Sequence, residues 1–274
     1  MPSQADKALT FLELHRPGDP LLLPNPWNQG SARLLESMGF EALATTSGGF
    51  ATSLGRLDGS VSRDEAIAHA ASIVSAVDVP VSADLENCFA DDPQGVAETV
   101  RLAVAAGLAG CSVEDHQPGS DDPVYDIGLA RDRVQAACEV AHGGQVRLAI
   151  TARAENFLHG RDDLRDTIGR LQAFQEAGAD VLYAPGLTRI EDIRAVVSSV
   201  DRPVNVLALP GVAPVKELAA AGVARVSVGS AFANVAWGAL LGAAEEFKES
   251  GTYGWTELAT VGSRAVRSAF RARS

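Results

Sequence analysis

The chain has only three cysteines, Cys88, Cys111 and Cys138. Their spacing fits neither a disulfide framework nor a zinc motif, so a reducing compartment is expected. Basic residues are also scarce: 23 Lys and Arg stand against 35 Asp and Glu, a net charge of −12. A nucleic-acid partner needs a basic face to neutralise phosphates, so that class is set aside, and the acidity is read as serving solubility. No apolar run reaches the roughly 20 residues that span a bilayer, which sets aside a membrane partner. The opening Met1-Pro2-Ser3-Gln4-Ala5-Asp6-Lys7 lacks the basic start and apolar stretch of a secretion signal. A cytoplasmic location is the expectation. No linker, charge block or low-complexity tract divides the 274 residues, so a single domain over 1–274 is expected.

What is present is a regular alternation of two patterns. Short runs rich in Val, Ile, Leu and Ala, without strict polar alternation, predict strands buried on both faces at 20–24, 42–46, 79–85, 110–114, 146–153, 180–184, 203–207 and 225–229. Amphipathic stretches between them predict helices at 31–38, 63–77, 93–106, 129–142, 162–177, 190–200, 214–221 and 231–250, the last opening a helical extension over 231–274. Ala106-Gly107, Ala177-Gly178 and Ala221-Gly222 each place Gly just past a helix, where a left-handed residue ends it. Eight right-handed strand–helix units close into a (β/α)8 TIM-type barrel, with a doubly wound open sheet as the competitor.

In such a barrel the chemistry sits where the strands end. The third run stops at Asp84-Leu85-Glu86 and the fourth at Glu114-Asp115. Carboxylates converging on one point repel unless a hard cation lies there, which makes a Mg²⁺ site the first hypothesis and helix capping the alternative. Asp84, Glu86 and Glu114 are the metal candidates, with Asp58 able to join directly or through water. Ser47-Gly48-Gly49 after the second strand lacks bulk, so its backbone N–H groups can approach an oxyanion closely; a plain tight turn explains the same residues. Arg153 at the end of the fifth strand can bind a carboxylate bidentately, or form a salt bridge with Glu155 or Glu114. Asn205 is a further candidate contact to a substrate carboxylate. His116 follows the Glu114-Asp115 pair, where a general acid is useful. Cys88 is read as an inert thiol.

Taken together, these segments resemble the isocitrate lyase/phosphoenolpyruvate mutase superfamily. The resemblance rests on Pro26-Trp27-Asn28, Ser31-Ala32-Arg33, Thr46-Ser47-Gly48-Gly49, Leu54-Gly55 through Asp58-Gly59, Ala83-Asp84-Leu85-Glu86, Val113-Glu114-Asp115, Ala152-Arg153, Gly178-Ala179-Asp180 and Pro203-Val204-Asn205. It implies a Mg²⁺-dependent barrel (Mn²⁺ being the alternative ion) that stabilises the enolate of a 2-oxo acid. Ser47, Gly48 and Gly49 would then bind the oxo-acid carboxylate. Asp58, Asp84, Glu86 and Glu114 would surround the ion, with Asp84 as direct ligand, and Arg153 would neutralise the enolate oxygen. It further implies a homo-oligomer, a dimer of dimers, that exchanges the helix at 231–247 between subunits; the apolar Trp237-Gly238-Ala239-Leu240-Leu241 suits an interface.

Departures from the family pattern shape the functional expectation. The lyase Cys-Gly-His loop is replaced by His116-Gln117-Pro118-Gly119-Ser120-Asp121-Asp122-Pro123-Val124-Tyr125, which has neither Cys nor Lys. Pro185-Gly186 stands where the lyases carry a Glu, and no Asn-containing gating loop precedes Asp126. The expected activity is therefore metal-dependent cleavage of a C–C bond in a small 2-oxo or 2-hydroxy carboxylic acid, such as oxaloacetate. Carbon–phosphorus chemistry on phosphonopyruvate is the alternative, and a non-catalytic oxo-acid-binding barrel is a reading of another class.

Overall fold

The computed structural model describes residues 2–271, so the ends of the expected 1–274 domain and 231–274 extension, Met1 and residues 272–274, lie outside the described residues. Eight strands alternate with helices: β1 (Leu21–Leu23), β2 (Leu43–Ala44), β3 (Val81–Ala83), β4 (Gly110–Glu114), β5 (Ala149–Arg153), β6 (Val181–Tyr183), β7 (Val204–Leu207) and β8 (Arg225–Ser227). All pairings are parallel, in the order β1-β8-β7-β6-β5-β4-β3-β2. The seam between β1 and β2 is drawn together by Ala44 N–H donating to Pro24 O (3.1 Å) and Asn25 Nδ2 donating to Thr45 O (2.9 Å). The result is a nearly closed (β/α)8 barrel. It agrees with the sequence reading, and the open sheet is excluded.

The helices are α1 (Gln4–Glu13), α2 (Gln29–Ser37), α3 (Ser47–Ser53), α4 (Arg63–Ala76), α5 (Pro93–Ala105), α6 (Ile127–Gly143), α7 (Leu164–Glu176), α8 (Ile190–Ser199), α9 (Val215–Ala220), α10 (Ala231–Glu249) and α11 (Thr256–Arg271). Caps move several boundaries from those expected. Asn28 forms a capping box with Ser31, so α2 starts at Gln29; Asp163 accepts from Asp166 N–H, so α7 starts only at Leu164. The three helix-ending glycines have φ of +85° (Gly107), +105° (Gly178) and +85° (Gly222), the left-handed conformation their positions call for.

Three of these helices, α1, α3 and α11, lie outside the strand–helix repeat. Helix α1, begun by a Ser3/Asp6 capping box, closes the amino-terminal end of the barrel with fully buried Phe11, and buried His15 follows just past its end. Gly110 is needed there: a Cβ at that position would lie 2.8 Å from Ala149 O and 2.9 Å from the Phe11 ring. Helix α3 forms where a loop was expected, because Thr46 caps it by accepting from Gly49 N–H. At the other end of the chain, α11 returns to α2. The Arg33 guanidinium stacks 4.8 Å from the Phe270 ring centroid and donates to Phe270 O (3.0 Å). Helix α10 leaves Val235, Leu240, Leu241 and Phe247 exposed. No helix among the described residues is long and apolar enough to cross a membrane.

Candidate active site

The strand ends at the carboxyl-terminal mouth bring most of the candidate residues together. Asp84, just past β3, is the hub. Its Oδ2 accepts from Ser47 N–H (3.1 Å) and Ser47 Oγ (3.0 Å), and its Oδ1 from Ser112 Oγ (3.4 Å) and Arg153 Nη1 (3.2 Å). Arg153 ends β5 opposite Glu114 in the β4–β5 register. Its Nη1 lies 2.7 Å from Glu114 Oε1, and its Nε donates to Glu155 Oε1 at 2.7 Å. Tyr183 presents its ring 5.0 Å from the same guanidinium. The salt-bridge reading of Arg153 is thus realised with both expected partners and with Asp84 as well.

The electrostatics are those of crowded acids around one cation. Burial disfavours the Arg153 charge, yet Glu114, Glu155 and Asp84 hold its pKa above the usual value. Burial raises the Glu114 carboxyl well above the carboxylate range, against the pull of Arg153. Glu86 is pushed up to about 7 by burial first, then by Asp84 and Asp58. Its backbone is left-handed, with φ +50°, as is that of Cys88 (+59°) and Phe89 (+55°). Such residues cost on the order of 1 kcal/mol or more each, so this turn is held in place by its surroundings.

A pH dependence follows from the raised acids. Glu86 keeps its proton in the folded state up to about 7, whereas its usual value is 4.5. The folded state therefore binds more protons across that window, and stability declines as pH rises through it. Asp115, pushed up to about 6 by burial, acts in the same direction above its usual 3.8. In chelator, the thermal midpoint is expected to fall between pH 5 and pH 8. A midpoint that rises over this range would contradict the assignment.

Other candidates stand differently from what their spacing suggests. Asp58 is exposed and flanks Gly48: a Cβ at Gly48 would lie 3.0 Å from Asp58 Oδ2 and 2.8 Å from Ser230 Oγ. A side chain at Gly48 would collide there, a close approach that suits glycine. Asn205 lines a small mouth cavity of about 60 Å³ together with Asp84, Arg153, Tyr183 and Arg225. Both ends of its amide are engaged, Nδ2 donating to Ser227 Oγ and Oδ1 accepting from Arg225 Nε, each at 2.9 Å. His116 is hydrogen-bonded through Nδ1 to Pro123 O (2.9 Å) and stacks on His159 with ring centroids 3.8 Å apart. Those partners belong to its own hairpin and to the turn Asn156–His159, not to the carboxylate cluster. Cys88 is buried, and burial pushes its thiol up to about 12, in keeping with an inert role.

Sequence reasoning passed over Ser112, Tyr183 and Arg133. Ser112 and Tyr183 sit on strands beside named residues. Arg133 carried a signal of its own, since it falls on the apolar stripe of α6 with Ala130, Val134, Ala137 and Ala141.

The donor chemistry fits a hard cation held largely through water. No three Asp, Glu, His or Cys side chains among the described residues are grouped so as to hold an ion between them. A cage made wholly of protein ligands is therefore not present. A cation that retains several waters needs only one or two carboxylates. The Asp84 carboxylate meets that requirement, with Glu86 beside it, its carboxyl pushed up to about 7 by burial and then by Asp84 and Asp58.

Comparison with known proteins bears on the family. The family profile described as phosphoenolpyruvate phosphomutase matches residues 11–248. A crystal structure from Burkholderia cenocepacia J2315, provisionally assigned as a lyase/mutase, is 49% identical with a TM-score of 0.95, covering 99% of this chain and 98% of that one. An uncharacterised protein of Mycobacterium tuberculosis is 30% identical over 81% of this chain and 82% of its own length. The 2-methylisocitrate lyase of Escherichia coli K12 is 27% identical over 70% of each chain. The chain thus belongs to the phosphoenolpyruvate phosphomutase family, enzymes of the PEP mutase/isocitrate lyase superfamily.

Proposed function

We propose that this enzyme is a cytoplasmic, Mg²⁺-dependent lyase (Mn²⁺ being the alternative ion) that cleaves a C–C bond of a small 2-oxo or 2-hydroxy acid resembling oxaloacetate. The observation that carries the proposal is the buried Arg153 guanidinium at the mouth, ringed by Asp84, Glu114 and Glu155. Asp84 would hold the ion directly, and Glu86, Glu114 and Asp58 through water. The ion, when bound, supplies Lewis-acid stabilisation of charge on the substrate oxygen. Backbone N–H groups at Ser47, Gly48 and Gly49, at the start of α3, would orient the substrate carboxylate, those of Ser47 and Gly49 only on release from Asp84 Oδ2 and Thr46 Oγ1. Asn205 would support it from the cavity wall.

With oxaloacetate, the C3–C4 bond breaks and carbon dioxide departs. The electron pair moves through C2 onto the oxo oxygen, giving the enolate of pyruvate. Arg153 would neutralise that charge, and C3 then takes a proton from solvent. This route needs no protein acid, which suits a hairpin in which His116 is occupied by Pro123 O. His116 would serve as acid only after releasing that bond.

The test is pyruvate release from oxaloacetate, phosphonopyruvate and 2-methylisocitrate, each with Mg²⁺ and with chelator. Metal-dependent pyruvate from oxaloacetate is expected. Release from phosphonopyruvate alone would replace the proposal with carbon–phosphorus chemistry, and release from 2-methylisocitrate would shift the substrate to a tricarboxylate. Metal binding without turnover of any oxo acid would favour a non-catalytic barrel. The dimer of dimers with α10 exchanged is proposed on the exposed Val235, Leu240, Leu241 and Phe247. A solution mass of one chain would refute it.

A further inference from the structure

Among the described residues, Arg133 is the largest fully buried side chain, and none of their carboxylates pairs with it directly. From α6 it donates to three backbone carbonyls: Glu114 O (3.1 Å), Ala90 O (2.9 Å) and, by a short bond, Asn87 O. Its guanidinium lies 4.0 Å from the centroid of the Tyr125 ring. The Tyr125 hydroxyl in turn donates to Asp91 Oδ1 (2.5 Å) and accepts from Asn87 Nδ2 (3.1 Å). One planar fork thus joins two strand ends. Glu114 closes β4, while Asn87 and Ala90 bracket the turn after β3 that begins with Glu86.

That turn is where the backbone is strained, with left-handed residues on both sides of Asn87, at Glu86 and at Cys88. A strained segment persists only when its surroundings over-determine it. The contacts of Arg133 meet that need: two of its bonds fall within the strained turn and the third reaches the carbonyl of Glu114. A lysine at this position would place three donors on one tetrahedral nitrogen and lose the planar fork and the ring stacking.

We infer that Arg133 is a positioning residue that, together with the bond from Glu114 N–H to Glu86 O (3.0 Å), sets the spacing between Glu86 and Glu114 by clamping the backbones that carry them. The inference rests on the proposed reading of these two acids as surrounding a divalent cation. It assigns Arg133 no contact with substrate or ion.

The test uses the full-length chain and the variants Arg133→Lys and Arg133→Met, with fold checked by circular dichroism. In metal-free protein, hydrogen–deuterium exchange over residues 86–91 is expected to accelerate in both variants. Exchange in α6 away from residue 133 and in β5 should stay unchanged, a restriction that a general packing role would not produce. Mn²⁺ affinity, read by electron paramagnetic resonance, is expected to weaken by about 10- to 100-fold, the loss typical of outer partners that orient metal ligands. A folded variant with wild-type exchange over 86–91 and wild-type Mn²⁺ affinity would overturn the inference. Should neither variant fold, the wild type still decides: its amides at residues 88 and 89 must exchange slowly despite lying in a loop, and rapid exchange there refutes the clamp. Failure of the wild type to bind Mn²⁺ would instead overturn the metal reading, leaving the exchange data to judge Arg133.

Discussion

Replacing Asp84 with alanine is expected to abolish Mn²⁺ uptake and lower turnover by at least about a thousandfold, the scale of losing a preorganised electrostatic partner together with its ion. The size of the effect follows from how much converges on this one carboxylate. Ser47 gives it two hydrogen bonds, Ser112 one, and Arg153 a charged contact. Its own N–H donates to Thr45 Oγ1 at 2.9 Å, so the backbone at this point is fixed independently of the side chain. The variant should therefore fold, and a folded protein without metal is the expected result. Mn²⁺ titration beside an activity assay is the check. If the folded variant keeps a tenth of wild-type turnover, Asp84 is not the direct ligand.

Arg153→Ala should separate charge neutralisation from metal binding. Turnover is expected to drop by roughly a hundred- to a thousandfold, while Mn²⁺ affinity is retained or improved, because a cation competing for Asp84 and Glu114 has gone. Stability should also suffer. The substitution leaves Glu155 and Glu114, whose side chains are 1% and 11% exposed, without their counter-charge. Breaking a buried pair on one side costs about 3–5 kcal/mol. The loss should shrink toward acid pH, where Glu114, already raised by burial, takes up a proton. Arg153→Lys should recover part of the stability but little of the rate, since one ammonium cannot reproduce the forked contacts to three acids. Thermal melts at two pH values, with kcat and Mn²⁺ titration, test all of this. Full activity in the alanine variant would remove Arg153 from the mechanism.

The barrel was legible because its strands read as unbroken apolar runs and its helices end at glycines that adopt the left-handed conformation. The acids were legible for a related reason: an apolar run that halts at Asp84 or Glu114 marks where a buried strand meets the mouth. Direction was harder to read. His116 is the right residue type beside the right strand end, yet its orientation depends on Pro123 and His159, which no local pattern specifies. Helix α3 escaped detection because seven residues with two glycines have low helical propensity, and only the Thr46 cap and packing against α10 offset it. Arg133 was passed over although a charge on the apolar stripe of α6 pointed inward. Its partners are main-chain carbonyls, which leave no trace in residue identity.

Strands β4 and β5 share the longest register in the barrel, five pairs from Gly110↔Ala149 to Glu114↔Arg153. Deep ladders of this kind open only when the whole molecule does, whereas peripheral loops open locally and often. The last pair of that ladder is the one that brings Glu114 and Arg153 face to face. Asp58 and the 116–126 hairpin, by contrast, hang from the rim. The site is therefore graded in permanence, with an anchor as durable as the fold and an edge that can be rewritten without endangering it. Substitutions at that edge can alter what the mouth admits while the pair formed by Glu114 and Arg153 stays in place.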